Sequence, residues 1–497
     1  MLKRTFVVLA KLLLLVAVVW LMVLAYWKYA NHVVTSEDLL MYFLILPVGL
    51  LLAFFLFRIL WWSSKKIYRR FHAPASSEAL PVGVSAGEPG TPRSADLYPP
   101  TYVIATAIST YFGDEGSQVL QTIMQEKTRA EIHAEFTQEL GYGMRVAGVE
   151  SLELAPTHED ARSTLWRTLA LLEKIYEPLG HLLRQAAPDP ESTPNSDKKH
   201  WGVQLHPEWK TGAPHPETAQ EAITAETPFG ALPTALSVHI VLPPFLTLAE
   251  INLAQVEVMT WLQSLGWPKQ VITALPIQPE NEIEYLRRLQ AWQQRISRDS
   301  SINEWLLILS AVSWLDMDLL NDKLQKDRPF ADRLARGGAL IGEASCGMVL
   351  ATTLPDQRLE PLTQLSLFTL AQRNKPVDAK GSIEAELLID MLAAQVSAEQ
   401  QSVAQIVGLV TSGDLNDGRA VELGRWVTDA LPQLDFIEDV INVSEHIGDC
   451  GTCSSVLALT LAAAMAHERE GKALYCANQH ASWRALAVAQ PVLATSF

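Results

Sequence analysis

The sequence INVSEHIGDCGTCSSVLALTLAAAMAHEREGKALYCAN at residues 441–478 concentrates two glycines, two cysteines and a histidine in one turn. Small and apolar residues follow, and they predict a narrow helix over residues 454–470. The turn has three interpretations that the residues alone leave open. It is a dithiol pair, a metal site, or a tight joint between packed backbones.

The dithiol and metal interpretations both use Cys450 and Cys453. Their C-x-x-C spacing lies at a predicted helix N-terminus, where partial positive charge lowers the pKa of a thiol. A zinc ion would take His446 and the two cysteines, with Cys476 or His480 as the fourth ligand. However, H-x3-C-x2-C is not a strong zinc pattern, and no thioredoxin-like strand precedes the pair.

The packing interpretation explains more of the turn, and we favour it. Gly448 and Gly451 would let two backbones approach closely, and Asp449 would cap amides at the helix start. The alanines and serines of the helix would then pack closely against another backbone. On this interpretation the turn carries neither a catalytic residue nor a metal ligand.

Composition describes a folded protein with an acidic body. The chain has 497 residues, of which 48% are hydrophobic and 19% charged, and its formal net charge is −16. Residues 1–72 have nine basic and two acidic side chains, so the remaining residues carry a net charge of −23. Such a body argues against nucleic-acid binding through a broad cationic face. Four cysteines are too few for a disulfide scaffold and indicate a reducing compartment.

Two long apolar segments predict a membrane hairpin within residues 1–72. The segments 5–27 and 39–62 are each long enough, as helices, to cross a hydrocarbon core of ~30 Å. Basic residues precede the first segment and follow the second, which places both ends of the hairpin in the cytoplasm. Residues 73–98, rich in Pro, Gly, Ser and Ala, predict a flexible linker to a cytoplasmic domain.

From residue 99 onward, short apolar runs alternate with amphipathic segments. The strands are predicted at 101–109, 141–150, 236–243, 304–313, 344–353 and 404–412. The helices are predicted at 114–139, 158–186, 248–265, 280–297, 383–396, 418–431 and 454–470. The polar segment 187–228 is predicted to be a surface excursion inside the domain, and a hairpin around WGVQLH at 201–206 is the alternative that the residues leave open. This alternation indicates a layered α/β fold.

Three stretches of the sequence together resemble the C-terminal half of thiolase-like condensing proteins. They are residues 337–353 (GGALIGEASCGMVLATT), 406–426 (IVGLVTSGDLNDGRAVELGRW) and 441–478. The resemblance extends over the chain from Ala291 onward. It implies an αβαβα layered body of two similar halves, which we place at 99–330 and 331–497. It also implies that the turn lies where the halves meet.

The chemistry of condensing enzymes does not carry over with the resemblance. Those enzymes need a thiolate at a helix N-terminus of the first half, whereas this chain has no cysteine before Cys346. Cys346 itself lies inside an apolar strand pattern, which predicts a core position. The family's His-Gly-Thr-like and Asn-Ser-Phe-Gly-like motifs do not align here. We therefore assign no catalytic, cofactor-binding or metal-binding residue and expect no cofactor.

A membrane hairpin joined to a degenerate thiolase-like body resembles the bacterial type VI lipase adaptor family. The resemblance implies a non-enzymatic, multi-pass inner-membrane protein that binds a phospholipase toxin in the cytoplasm and aids its delivery to the type VI secretion machine. It implies a lipase effector and the spike protein as partners, and a homodimer as the oligomer such folds often form. The alternative is a thiolase-like enzyme acting on acyl thioesters or lipids at the inner membrane.

Overall fold

The computed structural model describes residues 101–126, 132–137, 143–149, 152, 163–188, 233–298, 303–316, 319–320, 340–352, 362–379, 383–398, 402–413 and 417–492. The predicted membrane segments at 5–27 and 39–62 and the linker at 73–98 lie outside these residues. Almost all of the predicted excursion at 187–228 does so too. Of the helices that are described, none has the length and apolar character needed to cross a bilayer.

A first half of the fold is built around a mixed five-stranded sheet. Its elements are β1 (Thr101–Ser109), α1 (Gly116–Glu126), β2 (Ile132–Thr137), β3 (Gly143–Ala147), α2 (Ser163–Ala186), β4 (Ala235–Val241), α3 (Leu248–Ser264), β5 (Ile272–Ile277), α4 (Glu282–Arg298), β6 (Glu304–Ser313) and β7 (Ile341–Ala351). The strand order is β5-β4-β6-β7-β1. The first three strands of that order are parallel, and the last two pairings are antiparallel.

The second half repeats this topology. Its elements are β8 (Thr363–Leu365), β9 (Thr369–Gln372), α5 (Glu386–Ala398), β10 (Ile406–Thr411), α6 (Asp417–Ala430), β11 (Val440–Asn442), α7 (Val443–His446), α8 (Cys453–Glu468), β12 (Lys472–Ala477) and β13 (Trp483–Pro491). The order β11-β10-β12-β13-β8 has the same sequence of parallel and antiparallel pairings as the first half. Antiparallel pairing of β1 with β8 joins the two sheets.

In the part of the chain that the structure describes, the helices and sheets form five layers, with three large hydrophobic cores between them. One core lies between α2, α3 and the first sheet, and another between α5, α6 and the second sheet. The third and largest core contains α4 and α8 and takes side chains from both sheets. The described residues therefore confirm the layered α/β architecture with two similar halves.

The buried strands read as continuous apolar runs because both of their faces are covered. All ten residues of β6 are buried, as expected for a strand between two helical layers. Trp305 and Leu307 of this strand contact the outer core, whereas Leu306 and Ile308 contact the central one. Successive side chains of a strand point to opposite faces, so one apolar run supplies two cores.

The helix α8 is the narrow helix that the sequence predicted. Thirteen of its 16 residues are buried. The faces of β12 and β13 that point toward it are rich in alanine, including Ala473, Ala477, Ala485 and Ala487. Small side chains on both surfaces let the helix approach the sheet closely, so the helix is enclosed on nearly every side.

The structure differs from the sequence-based elements in several places, and the strands β8, β9, β11 and β12 are among the elements that were not predicted. The predicted helix 114–139 ends at Glu126, and residues 132–137 instead form a strand paired with β3. The strand β5 escaped prediction because it contains Pro276, and its position at the edge of the sheet explains why proline is tolerated there. The strand β13 escaped because alanine has low strand propensity.

The strand β7 lies in the first half of the fold, although the sequence analysis placed residues 337–353 after the boundary at 330/331. It pairs with β6 along nine residues and with β1 on its other side. The fully apolar run predicts a buried strand but does not reveal which sheet it joins. By its strand pairings, the second half begins at β8.

Candidate functional site at the joint between the halves

The N-terminus of α4 is a contact point between the two halves. Its first residue, Glu282, is only 1% exposed and points at the carboxyl ends of two strands of the second half, β10 and β12. In layered α/β folds, loops at the carboxyl ends of parallel strands commonly form the functional site. This joint is therefore the candidate site.

Both carboxylate oxygens of Glu282 accept hydrogen bonds from the second half. The Ser412 hydroxyl donates to Oε2 over 2.6 Å. The backbone N–H of Gln479 donates to Oε1 over 2.6 Å, and that of His480 donates to the same oxygen over 3.1 Å. One side chain of the first half thus holds two separate loops of the second.

The two loops are also bonded to each other. The backbone N–H of Asn478 donates to the Ser412 hydroxyl over 3.2 Å, and the N–H of Gly413 donates to Asn478 Oδ1 over 2.7 Å. The Ser412 carbonyl accepts hydrogen bonds from the side chains of Gln479 and Ser444. The polar groups around Glu282 therefore form one connected network at the joint.

Burial at the joint shifts the pKa values of Glu282 and His480 in opposite directions. Burial raises the pKa of Glu282 above its ordinary value, while the Ser412 hydroxyl, the two backbone amides and the charge of Arg484 partly oppose that rise. Burial also lowers the pKa of His480, helped by the charges of Arg484, Arg419 and Arg287. His480 Nδ1 accepts hydrogen bonds from two backbone amides, which places the proton of neutral His480 on Nε2.

A buried ion pair supports the loop that carries His480. Arg484 of β13 is fully buried and contacts Glu422 of α6 over 2.6 Å. Glu422 also pairs with Arg373, and Arg484 donates to the carbonyl oxygen of His480. Each oxygen of the Glu422 carboxylate therefore has an arginine partner, as a buried charge requires.

The turn at residues 447–451 forms a second contact between the halves. The backbone N–H of Asp449 donates to the carbonyl of Leu340 over 2.8 Å, just before β7. Gly448 has a φ of 94°, and a Cβ there would lie 2.6–2.7 Å from backbone atoms of Ile341 and Gly342. The predicted close approach of backbones is confirmed at Gly448.

The prediction that Gly451 also permits a close approach of two backbones is wrong. Gly451 has a φ of 54°, but the nearest atom to a Cβ there is 4.0 Å away, on Trp314. Glycine is favoured at this position because of the positive φ, and not because a side chain would lack space. Asp449 Oδ1 accepts a hydrogen bond from the N–H of Gly451, which stabilises the turn before α8. The predicted capping of the helix start is wrong, because the N-cap residue is Thr452 and it makes no side-chain capping bond.

The structure places Cys346, Cys450 and Cys453 in one core and Cys476 in another, which differs from the zinc-ligand set considered from the sequence. Cys346 and Cys453 lie with their sulfur atoms 3.9 Å apart in the central core, which also contains Cys450. Cys476 lies in the outer core of the second half, on the opposite face of the sheet. The sequence's candidate zinc set is therefore not assembled, and no cluster of potential metal ligands occurs among the described residues.

None of the four cysteines forms a disulfide, and all four are buried. Burial raises the pKa of both the Cys346 and Cys476 thiols. The nucleophile in thiol chemistry is the thiolate, so buried neutral thiols are poor nucleophiles. The predicted core position of Cys346 is confirmed, because it is fully buried in β7.

Three residues that dominate the joint, Glu282, Ser412 and Arg484, were not predicted from the sequence. Arg484 had a signal, since it is a lone charge beside the apolar run of β13. Glu282 had none, because an acidic residue in the first turn of a helix is ordinary. Only the packing of the second half against that turn makes the carboxyl unusual.

Comparison with known proteins gives structural likenesses without sequence relatives. No protein family matches the chain, and no curated protein is similar to it in sequence. The ishigamide ketosynthase/chain length factor is 10% identical, with 79% of this chain and 100% of that chain covered and a TM-score of 0.48. The ketosynthase from module 6 of the bacillaene synthase of Bacillus subtilis 168 is 10% identical, with 80% and 71% covered and a TM-score of 0.49.

The topology of this chain itself defines the class of fold. It is a layered α/β protein of two similar halves, each with the strand order 3-2-4-5-1 counted along its five main strands. This is the architecture that the resemblance to thiolase-like proteins implies. The joint between the halves is occupied by the protein's own hydrogen-bonded side chains.

Proposed function

We propose that this protein is a non-enzymatic adaptor that binds a phospholipase toxin in the cytoplasm and aids its delivery to the type VI secretion machine. The observation that carries the non-enzymatic part is the state of the joint. Glu282, not a cysteine, begins α4 of the first half, and groups of the second half donate hydrogen bonds to both of its carboxylate oxygens. The resemblance to condensing enzymes implies a thiolate at a helix N-terminus of the first half, and this chain has no cysteine before Cys346. None of the four cysteines is exposed there.

The partner and the membrane anchor in this proposal rest on the sequence resemblance to type VI lipase adaptors. The hairpin at residues 1–72 would hold the acidic body at the cytoplasmic face of the inner membrane. An adaptor needs a folded, stable surface and no reactive group, and the closed joint is consistent with that need. A lipase effector is the expected cargo, and the spike protein is the expected acceptor.

The proposal is tested by affinity purification of the tagged full-length protein from gently solubilised membranes of its own host. Copurifying proteins are identified by mass spectrometry, with the untagged chain as control. Recovery of a lipase-type toxin or a secretion spike protein is the expected result. Recovery of acyl carrier protein or lipid-synthesis enzymes in their place would contradict the proposal.

The enzyme alternative is tested separately by acyl transfer from a thioester. Cys346→Ala and Cys450→Ala remove thiols of the central core, whereas Cys476→Ala is the matched control on the other face of the sheet. The adaptor proposal expects no turnover in the wild-type protein. Turnover that is lost in the first two variants and kept in the control would establish the alternative.

A further inference from the structure

A short loop of the second half presents two adjacent apolar side chains to solvent. The loop, residues 435–439 (DFIED), lies between α6 and β11, and it leaves Ile437 68% and Phe436 36% exposed. Surface turns are usually built from polar residues and glycine, so an adjacent Phe-Ile pair is unusual at this place. The other exposed large apolar side chains of the described residues stand singly in sequence: Leu248, Val256, Leu275 and Val421.

The backbone of the loop is held by hydrogen bonds within the loop itself. Asp435 Oδ1 accepts from the N–H of Ile437 over 2.7 Å and from that of Glu438 over 3.3 Å. Asp439 Oδ2 accepts from the N–H of Asp435 over 2.9 Å, and the N–H of Asp439 donates to the Asp435 carbonyl over 2.8 Å. Four of the five backbone amides of the loop are therefore bonded inside it.

Arg469, at the end of α8, fastens the loop to the body of the second half. Its Nη1 donates to Asp439 Oδ1 over 2.7 Å and to the Val407 carbonyl, and its Nη2 donates to the Glu438 carbonyl over 3.3 Å. The N–H of Leu409 in β10 donates to the Asp439 carbonyl over 2.9 Å. A partner that binds a loop already held in one conformation loses little affinity to ordering it.

Acidic side chains surround the exposed pair. Asp435 and Glu438 flank it and are exposed. Glu468 and Glu470, on either side of Arg469 in sequence, are also exposed, whereas the charge of Arg469 is used in the ion pair that holds the loop. The chain has a net charge of −16. Such a surface repels anionic lipid, nucleic acid and a second copy of this chain, and it attracts a basic protein surface.

We propose that Phe436 and Ile437 are the contact through which this protein binds its cargo toxin, by insertion into an apolar pocket that basic side chains border. The inference rests on the adaptor function proposed above and names the surface that performs it. A few apolar side chains at the centre of an interface, enclosed by polar ones, commonly supply most of the binding energy.

The position of the loop suits a contact that is independent of the joint between the halves. The loop bonds to Val407 and Leu409, in the first part of β10, whereas the joint network begins at Ser412, just after that strand. The loop and the joint therefore lie toward opposite ends of β10. A partner bound at the loop does not have to displace the hydrogen bonds of Glu282.

The test starts from the tagged full-length protein, purified from membranes of its own host. The lipase-type toxin recovered with the wild-type chain is then purified and titrated by calorimetry against wild type and variants. Ile437→Ser should raise the dissociation constant by at least ~10-fold. Leu248→Ser is the matched control, because it removes a side chain that is 73% exposed on the first half, and it should bind as wild type does.

The charge part of the proposal is tested by Glu438→Lys, which also supplies the measurement if Ile437→Ser does not fold. Glu438 contributes to the bonds of the loop through its backbone, so the loop should keep its shape. The dissociation constant should rise at low salt and approach the wild-type value as salt screens the charges. Glu177→Lys makes the same charge change at an exposed position of α2 and should have a smaller effect.

Wild-type affinity in Ile437→Ser would overturn the proposal, as would an equal loss of affinity in Leu248→Ser. Equal effects of Glu438→Lys and Glu177→Lys would overturn the basic border of the pocket. If the wild-type chain recovers no lipase-type toxin, the adaptor function itself fails. A toxin that is recovered and binds all variants equally leaves the adaptor function standing and removes only the loop as its contact.

Discussion

Replacement of Gly448 by alanine should break the contact between the turn at 447–451 and β7. An L-residue with positive φ costs about 1–2 kcal/mol. In addition, the new Cβ would lie 2.6–2.7 Å from three backbone atoms, the N and Cα of Gly342 and the carbonyl carbon of Ile341. Carbon atoms in contact prefer about 3.5–4.0 Å, and backbone cannot rotate away as a side chain can. The turn must therefore move off the strand.

Movement of the turn has its own cost. It breaks the 2.8 Å hydrogen bond from the Asp449 N–H to the Leu340 carbonyl. An unsatisfied buried group of this kind costs about 1–3 kcal/mol. Together with the backbone cost, Gly448→Ala should lower the free energy of unfolding by about 2–5 kcal/mol.

Gly451→Ala is the matched control for this prediction. Its φ of 54° imposes the same class of backbone cost, but the nearest atom to its Cβ is 4.0 Å away. The loss should therefore stay at about 1–2 kcal/mol. Urea unfolding followed by tryptophan fluorescence measures both variants, and Gly448→Ala should lower the midpoint by about 1 M or more. Equal midpoints for the two variants would refute the assignment of the close contact to Gly448.

Three further predictions concern other parts of the fold. Arg484→Met removes one of the two arginines that pair with the buried Glu422 carboxylate and should cost about 3–5 kcal/mol in urea unfolding; a loss below about 1 kcal/mol would show that Arg373 alone compensates the carboxylate. All four cysteines should resist a thiol-specific chromogenic reagent in the native protein and react together only in denaturant, and a single fast thiol without denaturant would contradict their burial. Thr247→Ala removes the capping box with Glu250 at the start of α3 and should cost about 1 kcal/mol, whereas an unchanged stability would mean that water replaces the cap.

The sequence by itself determined most of the elements and the layered class of the fold. The strands β1 and β6 were predicted at the residues where they occur, because both are continuous apolar runs with turn residues at their ends. The helix α8 was predicted within one or two residues, because its small side chains and its glycine-containing turn are local signals. The burial of Cys346 followed from the same kind of local pattern.

Only the tertiary structure decided which elements meet. An apolar run indicates that a strand is buried, but it does not indicate which strands pair with it. The sequence position of β7 therefore suggested the second half, whereas its pairing with β6 and β1 places it in the first. Gly448 and Gly451 are three residues apart in one turn, yet only one of them faces the backbone of β7. Glu282 and Ser412 are 130 residues apart, and their hydrogen bond depends on the packing of two halves. Local propensity acts over a few residues, whereas the joint depends on how distant surfaces fit together.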